Sequence, residues 1–438
     1  MPSNLEAMRL RLLHVYGAKS SKLFTEQRKK YYQSTSPIFF TNQIAFSTKV
    51  KTSDIEMHIG ANAKQIISKT DPNLPIKERI EARVKERNEW STYQKPSVIS
   101  ILKLLTSFIP KYLSSDTLPS QSKLDEVFPI HSLDYSLIRK PKNESKIQVT
   151  WIGHASLLIQ MGGWNILTDP VFSNRCSAVQ WAGPKRYRPP ACTLKQMRDE
   201  DVIIDAVLIS HNHYDHLDYY SISELADYGT SNSEVPKVQF VVPLGIRSWF
   251  ESYFPQSKGR IQEIDWHESC TLIQEQYMYS GTTHKQDIEI TGLPMQHWSS
   301  RKGFDRDATL WCGFSITTKT SNNPKAAEQK FLFTGDTGYF DYLSTIGSLY
   351  GPFDLAAIPI GAYEPRDFMK PQHLNPEDAV KMMIDVKAKK AVPIHWGTFQ
   401  LTFEPFLEPR ERLEKEVERR GIEKDAFKPW LIGETFIS

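Results

Sequence analysis

The stretch D-A-V-L-I-S-H-N-H-Y-D-H-L-D at residues 205–218 decides the fold that this chain can adopt. Residues 202–209 are largely apolar and rich in β-branched side chains, which predicts a buried strand. The loop after it carries four potential metal ligands, His211, His213, Asp215 and His216. Alternate side chains diverge, so this spacing predicts two ligand clusters, with Asp215 and His216 turned toward the second. Imidazole and carboxylate without thiolate suit zinc or a similar divalent ion in an open catalytic site, whereas a histidine-rich surface loop is the alternative.

Length, charge and cysteine usage limit the function classes that need to be considered. The chain has 438 residues and a formal net charge of +3, so it lacks a general polyanion-binding signature and we expect no nucleic-acid partner. Its four cysteines include no C-x-x-C pair, which argues against a disulfide framework and predicts a reduced, intracellular protein. No apolar run is long enough to span a bilayer, so any membrane association is expected to be peripheral.

The sequence divides into three parts. Residues 1–52 are basic and poor in acids, which is typical of a mitochondrial transit peptide; a disordered basic tail that stays uncleaved is the alternative. Residues 53–145 are expected to be a helical and extended segment that packs on the core or on a membrane surface. Within it, the mixed charges of residues 76–88 suit an exposed helix, and the apolar residues 97–113 suit a membrane interface or a helix packed on the core. Residues 146–438, rich in strand signals, form the predicted catalytic domain.

Three further candidate ligands follow short apolar strands later in the chain. His297 follows a strand predicted for residues 287–293, Asp336 lies in T-G-D-T-G after F-L-F, and His395 follows residues 391–394. Each is weak evidence alone, because a single histidine at a strand end is more often a hydrogen-bonded structural residue. After an H-x-H-x-D-H loop, however, their order predicts a dinuclear metal centre. Two divalent ions can share a hydroxide and neutralise a phosphoryl group under attack.

Several stretches together carry a resemblance to one known family. They are T-W-I-G-H-A-S (150–156), L-T-D-P-V-F (167–172), G-P-K-R-Y-R (183–188), S-H-N-H-Y-D-H-L-D (210–218), G-D-T-G-Y (335–339), G-P-F-D-L-A-A-I-P-I-G-A-Y-E-P-R (351–366) and I-H-W-G-T-F (394–399). With these motifs the chain resembles N-acyl phosphatidylethanolamine-hydrolysing phospholipase D, of the metallo-β-lactamase superfamily. The resemblance begins at about residue 90 and reaches the C-terminus, so the basic N-terminal region lies outside it.

This resemblance implies an α/β fold, the metallo-β-lactamase αβ/βα sandwich with two mixed β-sheets and outer helices. It implies two Zn²⁺ ions that are bound by seven side chains: His211, His213 and His297 at the first ion, Asp215, His216 and His395 at the second, and Asp336 bridging both. It implies hydrolysis of a membrane phospholipid, N-acyl phosphatidylethanolamine, to N-acylethanolamine and phosphatidate through a metal-bridging hydroxide, with Asp215 and Asp336 in catalytic roles. A homodimer is implied by the family alone.

Four more residues are candidates for supporting roles. Asp169 resembles the superfamily carboxylate that orients a ligand histidine, with an ordinary turn residue as the alternative. His154 either acts likewise or is a core histidine. His373 precedes a helix start, where free N–H groups favour an anion. The resemblance implies that His373 and Tyr214 contact the substrate near its phosphodiester. His373 is also a candidate to protonate the leaving alkoxide, with helix capping as the alternative.

Two surface features and two competing functions complete the expectations. The first surface feature is a basic cluster of Lys185, Arg186 and Arg188. It either meets anionic headgroups or is an ordinary solvated loop. The candidates for an apolar substrate entrance are Phe172, Trp181 and residues 97–113. A metal-dependent lactonase or other ester hydrolase is the competing enzyme, since this ligand set fixes the metals and not the substrate. A non-enzymatic scaffold is disfavoured, because no ligand is missing.

Overall fold

The computed structural model describes residues 44–48, 70–95, 97–99, 102, 106, 119–141, 145–228, 237–274, 286–319 and 328–438. Within these residues, fourteen strands form two seven-stranded sheets. The strands are β1 (Ile44–Thr48), β2 (Gln148–Gly153), β3 (Ser156–Met161), β4 (Trp164–Thr168), β5 (Ala206–Leu208), β6 (Gln239–Pro243), β7 (Ile261–Ile264), β8 (Ser269–Gln274), β9 (Asp287–Leu293), β10 (Gly313–Lys319), β11 (Lys330–Phe333), β12 (Leu355–Pro359), β13 (Ala391–Ile394) and β14 (Thr435–Ile437).

Both sheets combine parallel and antiparallel pairs. The first has the order β14-β2-β3-β4-β5-β6-β7; it is antiparallel from β14 to β4 and parallel from β4 to β7. The second has the order β1-β8-β9-β10-β11-β12-β13; it is antiparallel from β1 to β11 and parallel beyond. Gly162 and Gly163, at φ 56° and 83°, supply the positive φ values that a tight turn between β3 and β4 needs.

The alternation of side chains along β3 shows how the layers pack. Leu157 and Ile159 belong to an apolar cluster shared with strands of the other sheet, including Phe314 of β10. Leu158 points the other way, into a cluster with Ile222 from a helix on the outer face. Since successive side chains of a strand face opposite sides of a sheet, one face of β3 meets the second sheet and the other meets helices. The predicted αβ/βα sandwich of two mixed sheets with outer helices is confirmed.

The described α-helices number ten. They are α1 (Ile76–Glu89), α2 (Gln121–Val127), α3 (Tyr135–Arg139), α4 (Leu194–Asp199), α5 (Tyr219–Ala226), α6 (Arg247–Tyr253), α7 (Leu343–Leu349), α8 (Arg366–Met369), α9 (Pro376–Asp385) and α10 (Glu408–Arg419). Helix α9 begins where the sequence predicts, because the Asn375 side chain accepts a hydrogen bond from the Asp378 N–H at 3.0 Å and Pro376 occupies the first position.

Helix α1 forms where mixed charges predict a helix, and one of its faces is exposed as expected, but the opposite face is buried. Arg79, Arg83 and Arg87 recur every four residues on one face and are all buried. Arg79 and Arg83 both donate to the Asp265 carboxylate, at 3.1 and 2.9 Å. The sequence pattern shows both signs of charge within the helix, but it does not reveal an acidic partner at the distant position 265.

The proposed domain boundaries at residues 52 and 145 stay predictions. Strand β1 is the part of residues 1–52 that the structure describes, and it pairs with β8 at one edge of its sheet. Of residues 97–113, only 97–99, 102 and 106 are described. Among the described residues, no helix combines the length and apolar character that crossing a bilayer requires.

Candidate metal centre

The candidate ligands lie where strands of both sheets end. His211 lies just beyond β5 of the first sheet, while Asp336 and His395 follow β11 and β13 of the second. Strands β11, β12 and β13 are parallel, so the residues that follow them emerge at the same edge of the sandwich. The two sheets thus bring together side chains that are more than 180 residues apart in the sequence.

The first set of ligand atoms consists of three imidazole nitrogens. The Nδ1 atom of His213 lies 2.8 Å from the Nε2 atom of His211 and 3.3 Å from the Nε2 atom of His297. Zinc–nitrogen bonds of about 2.0–2.1 Å in a tetrahedron place their nitrogens about 3.3 Å apart. The spacing of these three atoms is therefore close to what a shared ion would impose.

The second set consists of two imidazoles and two carboxylates. The Asp215 Oδ2 atom lies 3.3 Å from His216 Nε2 and 3.2 Å from His395 Nε2. The Asp336 Oδ2 atom lies 3.2 Å from each of the same two nitrogens. It also lies 3.9 Å from His211 Nε2 and 3.8 Å from His297 Nε2. Asp336 therefore lies between the two sets.

Hydrogen bonds behind the histidines fix which nitrogen faces the centre. The Asp169 Oδ2 atom accepts from the Ser210 hydroxyl and from His216 Nδ1, both at 2.6 Å. Because the Ser210 proton is used in this way, its oxygen accepts from His211 Nδ1 at 2.9 Å. The Nδ1 atom of His297 donates to the Gln372 carbonyl at 2.9 Å. These partners orient each of the three rings with Nε2 toward the centre, where this nitrogen can bind a metal ion.

Several buried polar atoms at the centre have no hydrogen-bond partner among the described protein atoms. They are His216 Nε2, Asp336 Oδ1 and His373 Nδ1, the last of which lies 3.9 Å from Asp336 Oδ2. Burial opposes ionisation of Asp336, but His216 and His395 hold the pKa of this carboxyl well below its usual range. Despite burial, Asp336 and Asp215 raise the pKa values of His216 and His395. The buried carboxylates are therefore balanced either by protons on these two rings or by a cation that the same nitrogens bind. The residues fit a bound metal ion.

Asp169 and His154 lie behind the ligands. Asp169 joins Ser210 to His216 as described above. His154 Nε2 lies 3.0 Å from Asp215 Oδ2, and burial lowers the pKa of His154 to about 3, so its neutral ring donates this hydrogen bond. His154, Asp169 and His395 all have left-handed backbone conformations, at φ 55°, 32° and 63°. Such conformations are costly for residues other than glycine, and the surrounding packing holds them in place.

A cavity of about 370 Å³ opens onto the ligands. His373 and Tyr214 line it, together with apolar side chains that include Phe368, Met369 and Phe403. The Tyr214 hydroxyl donates to the Arg301 carbonyl at 3.1 Å. Burial lowers the pKa of His373 to about 3, so its ring is neutral and can donate one N–H to a substrate oxygen. His373 does not cap α9, since Asn375 does.

Two expectations about surfaces are wrong. Phe172 and Trp181 do not line this cavity; Trp181 is 82% exposed and Phe172 packs against the outer apolar cluster. Arg186 and Arg188 are buried, so they form neither a headgroup-binding cluster nor a solvated loop with exposed Lys185. The sequence could not reveal the partners that bury them, because those partners lie outside the motif.

The partners of these two arginines hold loops together. Arg186 donates to the carbonyls of Val171 and Ser173, the latter at 2.7 Å, while Arg188 donates to Asp125 Oδ1 at 2.6 Å. Sequence reasoning also missed Ser210 and Gln372, which orient ligand histidines. The position of Ser210, directly before His211, was the available signal. Nothing local pointed to Gln372, because its contribution is a backbone carbonyl.

Comparisons with known proteins show the family of this chain. Residues 164–396 match the family described as Beta-lactamase superfamily domain. The chain is 36% identical over 336 residues to N-acyl-phosphatidylethanolamine-hydrolyzing phospholipase D 1 of Caenorhabditis elegans, covering 76% of this chain and 85% of that protein. It is 34% identical to the mitochondrial N-acyl-phosphatidylethanolamine-hydrolyzing phospholipase D of Saccharomyces cerevisiae, over 64% of this chain and 54% of that protein.

Among solved structures, a metallo hydrolase of the archaeon Ignicoccus hospitalis, Igni18, aligns with a TM-score of 0.42 and 20% identity, over 67% of this chain and 98% of that one. The fold, the cluster of histidines and aspartates and the extent of the match to the worm protein together identify the chain as a metal-dependent hydrolase. It belongs to the N-acyl phosphatidylethanolamine-hydrolysing phospholipase D family of the metallo-β-lactamase superfamily.

Proposed function

We propose that the chain is a zinc-dependent phosphodiesterase of the phospholipase D type. It hydrolyses N-acyl phosphatidylethanolamine to N-acylethanolamine and phosphatidate. The observation that carries this proposal is the position of Asp336 Oδ2, within 3.2–3.9 Å of the facing nitrogens of both ligand sets. A shared carboxylate of this kind suits two adjacent divalent ions, which is the arrangement used for in-line displacement at phosphorus.

The site residues have distinct roles in this proposal. His211, His213 and His297 would hold one Zn²⁺ ion and Asp215, His216 and His395 the other, with Asp336 between them. When bound, the two ions lower the pKa of a water molecule and neutralise charge on the phosphoryl group. His373 and the Tyr214 ring face the same cavity and would orient the phosphodiester there.

The cavity supports a lipid substrate. Its lining includes Phe368, Met369, Leu401 and Phe403, so an acyl chain can leave water beside the reacting phosphate. The names of the worm and yeast relatives support the same substrate class. A peripheral membrane enzyme and a homodimer are part of the proposal. The basic residues 1–52 and the mitochondrial yeast relative favour mitochondria, which fluorescence microscopy of a tagged full chain would test.

The decisive experiment measures hydrolysis of N-acyl phosphatidylethanolamine in mixed micelles by purified protein, with metal content determined on the same sample. We expect N-acylethanolamine and phosphatidate, and about two zinc ions per chain. Asp336→Asn should lower turnover at least about a hundredfold, because it removes the shared carboxylate charge. Asp199→Asn, on exposed helix α4, is the matched control. Metal-loaded protein that yields neither product would refute the substrate and direct the search to lactones and other esters.

A further inference from the structure

The loop that follows His297, residues 298–309, forms part of the cavity rim. Trp298 lines the cavity, and the guanidinium of Arg306 lies 4.1 Å from the centre of its indole ring. At the tip of the loop, Phe304 is 87% exposed, and Lys302 and Arg306 on either side of it are exposed as well. A single exposed apolar side chain needs no explanation. Phe304, however, lies between two exposed cations, in the same loop as Trp298 of the cavity lining.

A second group of exposed aromatic side chains lies on the other side of Arg301. The Arg301 guanidinium lies 4.1 Å from the Tyr214 ring centre and 5.1 Å from that of Trp249. Trp249 contacts Tyr253, and Tyr253 contacts Tyr219, with ring centres 5.4 and 5.5 Å apart. Tyr253 is 55% exposed, and Tyr219 and its neighbour Tyr220 are also exposed. Arg301 therefore connects this aromatic group to the cavity and to the Phe304 loop.

The acidic residues of the loop accept hydrogen bonds from neighbouring groups, and Asp307 also lies 3.9 Å from the exposed Arg306. Asp305 accepts from the backbone N–H groups of Arg301 and Lys302, at 2.9 and 2.7 Å, and from the Ser300 hydroxyl. Asp307 accepts from Arg87 at 2.9 Å. The exposed end of the loop thus presents an aromatic ring between a lysine and an arginine.

The base of the loop is firmly held. Arg301 donates to the carbonyls of Asn212 and Leu217, at 3.0 and 2.8 Å, and so ties the loop to the metal-binding segment. Asp307 N–H donates to the Ser299 carbonyl at 2.7 Å. A loop with a fixed base and an exposed aromatic end can insert into a soft surface without first paying a large ordering entropy.

We infer that the rim, an aromatic and basic surface that adjoins the cavity lining through Trp298 and Tyr214, docks on an anionic lipid bilayer. It is defined as Tyr219, Tyr220, Tyr253, Lys302, Phe304 and Arg306. Aromatic side chains favour the interface between water and acyl chains, while lysine and arginine are attracted to anionic headgroups. Docking there would bring the cavity against the bilayer surface. The inference rests on the proposed function, because it names the physical form in which that substrate is met.

The test is co-sedimentation of purified full-length protein with vesicles of phosphatidylcholine alone and with vesicles that also contain about 30% phosphatidylglycerol. The second kind carries the negative surface charge that attracts lysine and arginine. We expect Phe304→Ser to weaken binding about tenfold, because burial of the ring is lost. Lys302→Gln should weaken binding roughly fivefold, and only to the anionic vesicles. The matched control is Ile203→Ser, which changes an exposed apolar residue that precedes β5, at the opposite end of this strand from His211. Its binding should stay close to that of the wild type.

Several results would overturn the inference. The inference fails if wild-type protein does not sediment with anionic vesicles, if Phe304→Ser binds as well as the wild type, or if Ile203→Ser loses as much binding as Phe304→Ser. If light scattering shows that Phe304→Ser separates a dimer while vesicle binding is unchanged, the rim is a protein interface instead. The vesicles contain no N-acyl phosphatidylethanolamine, so a failed hydrolysis assay and a failed binding assay give separate answers.

Discussion

The Arg87 guanidinium donates a hydrogen bond to the backbone carbonyl of His297 at 2.8 Å, which joins helix α1 directly to a candidate metal ligand. The same guanidinium pairs with Asp307 at 2.9 Å and lies between the rings of Tyr93 and Trp311, at 4.2 and 4.8 Å from their centres. Helix α1 is therefore part of the support of the site, although it precedes the first ligand, His211, by more than 120 residues.

Replacing Arg87 should destabilise the fold and weaken metal binding. Arg87→Met leaves Asp307 and the His297 carbonyl without their donor, and loss of one partner of a buried ion pair costs about 3 kcal/mol or more. Urea denaturation would measure this free energy of unfolding, and zinc titration would measure affinity. The control is Lys77→Met on the same helix, whose pair with Glu81 is exposed and 3.9 Å long. Equal stability of the two variants would contradict the role given to Arg87.

Asp169→Asn should weaken metal binding while leaving most of the fold intact. The Asp169 carboxylate accepts from Ser210 and His216 at once, and an amide offers one oxygen where the carboxylate offers two. Asparagine tolerates the left-handed backbone at this position, so the change is mainly electrostatic. We expect a loss of metal affinity of about 10–100-fold, measured by competition with a chelator. Unchanged affinity would show that His216 does not need this partner.

Removal of metal should destabilise the protein. The ligand side chains come together only in the folded state, so an ion that binds them adds stability by mass action. At a free zinc concentration a hundred times the dissociation constant, the gain is about 2.7 kcal/mol. Thermal unfolding before and after chelation, followed by zinc readdition, measures it. In Asp336→Asn the difference in thermal stability between the metal-loaded and the chelated protein should shrink. If this difference were undiminished, the stabilising ion would be bound elsewhere.

His267 should make stability depend on pH. Burial, assisted by Arg83, lowers the pKa of His267 to about 3, and its Nδ1 atom lies 2.8 Å from the Tyr350 hydroxyl. Between that pKa and the usual value near 6.5, the unfolded chain binds a proton that the folded chain does not, so stability falls as the pH falls. Relative to His267→Asn, the wild type should lose about 2 kcal/mol between pH 7 and pH 5.

Urea denaturation at both pH values provides the measurement. Asparagine is the matched replacement because His267 has φ 64°, a conformation that asparagine tolerates. Tyr350→Phe is the control, since it removes the hydroxyl partner but keeps the histidine, and so should keep the pH dependence. If His267→Asn retained the full dependence, other groups would be its source.

Much of the fold and the candidate ligand set could be predicted from the sequence, because their signals are local. A β-branched apolar run before H-x-H-x-D-H predicts a strand followed by ligands. The actual strand, β5, is shorter than the run, although Asp205 and Ile209 on either side of it are buried and donate backbone hydrogen bonds to Asn165 of β4 and Val241 of β6. Asn375 and Pro376 mark the start of α9 without help from tertiary contacts.

The roles of the arginines were decided by tertiary structure alone. In sequence, residues 76–88 and Arg186 and Arg188 have the charge patterns of solvated surfaces. Their acidic and carbonyl partners lie at distant positions, such as Asp265 for Arg79 and Asp125 for Arg188. The sequence by itself determined which residues can bind metal, because ligand chemistry belongs to the side chain. Which residues support those ligands was decided by folding, since burial and pairing depend on partners that only the packed sheets and helices bring together.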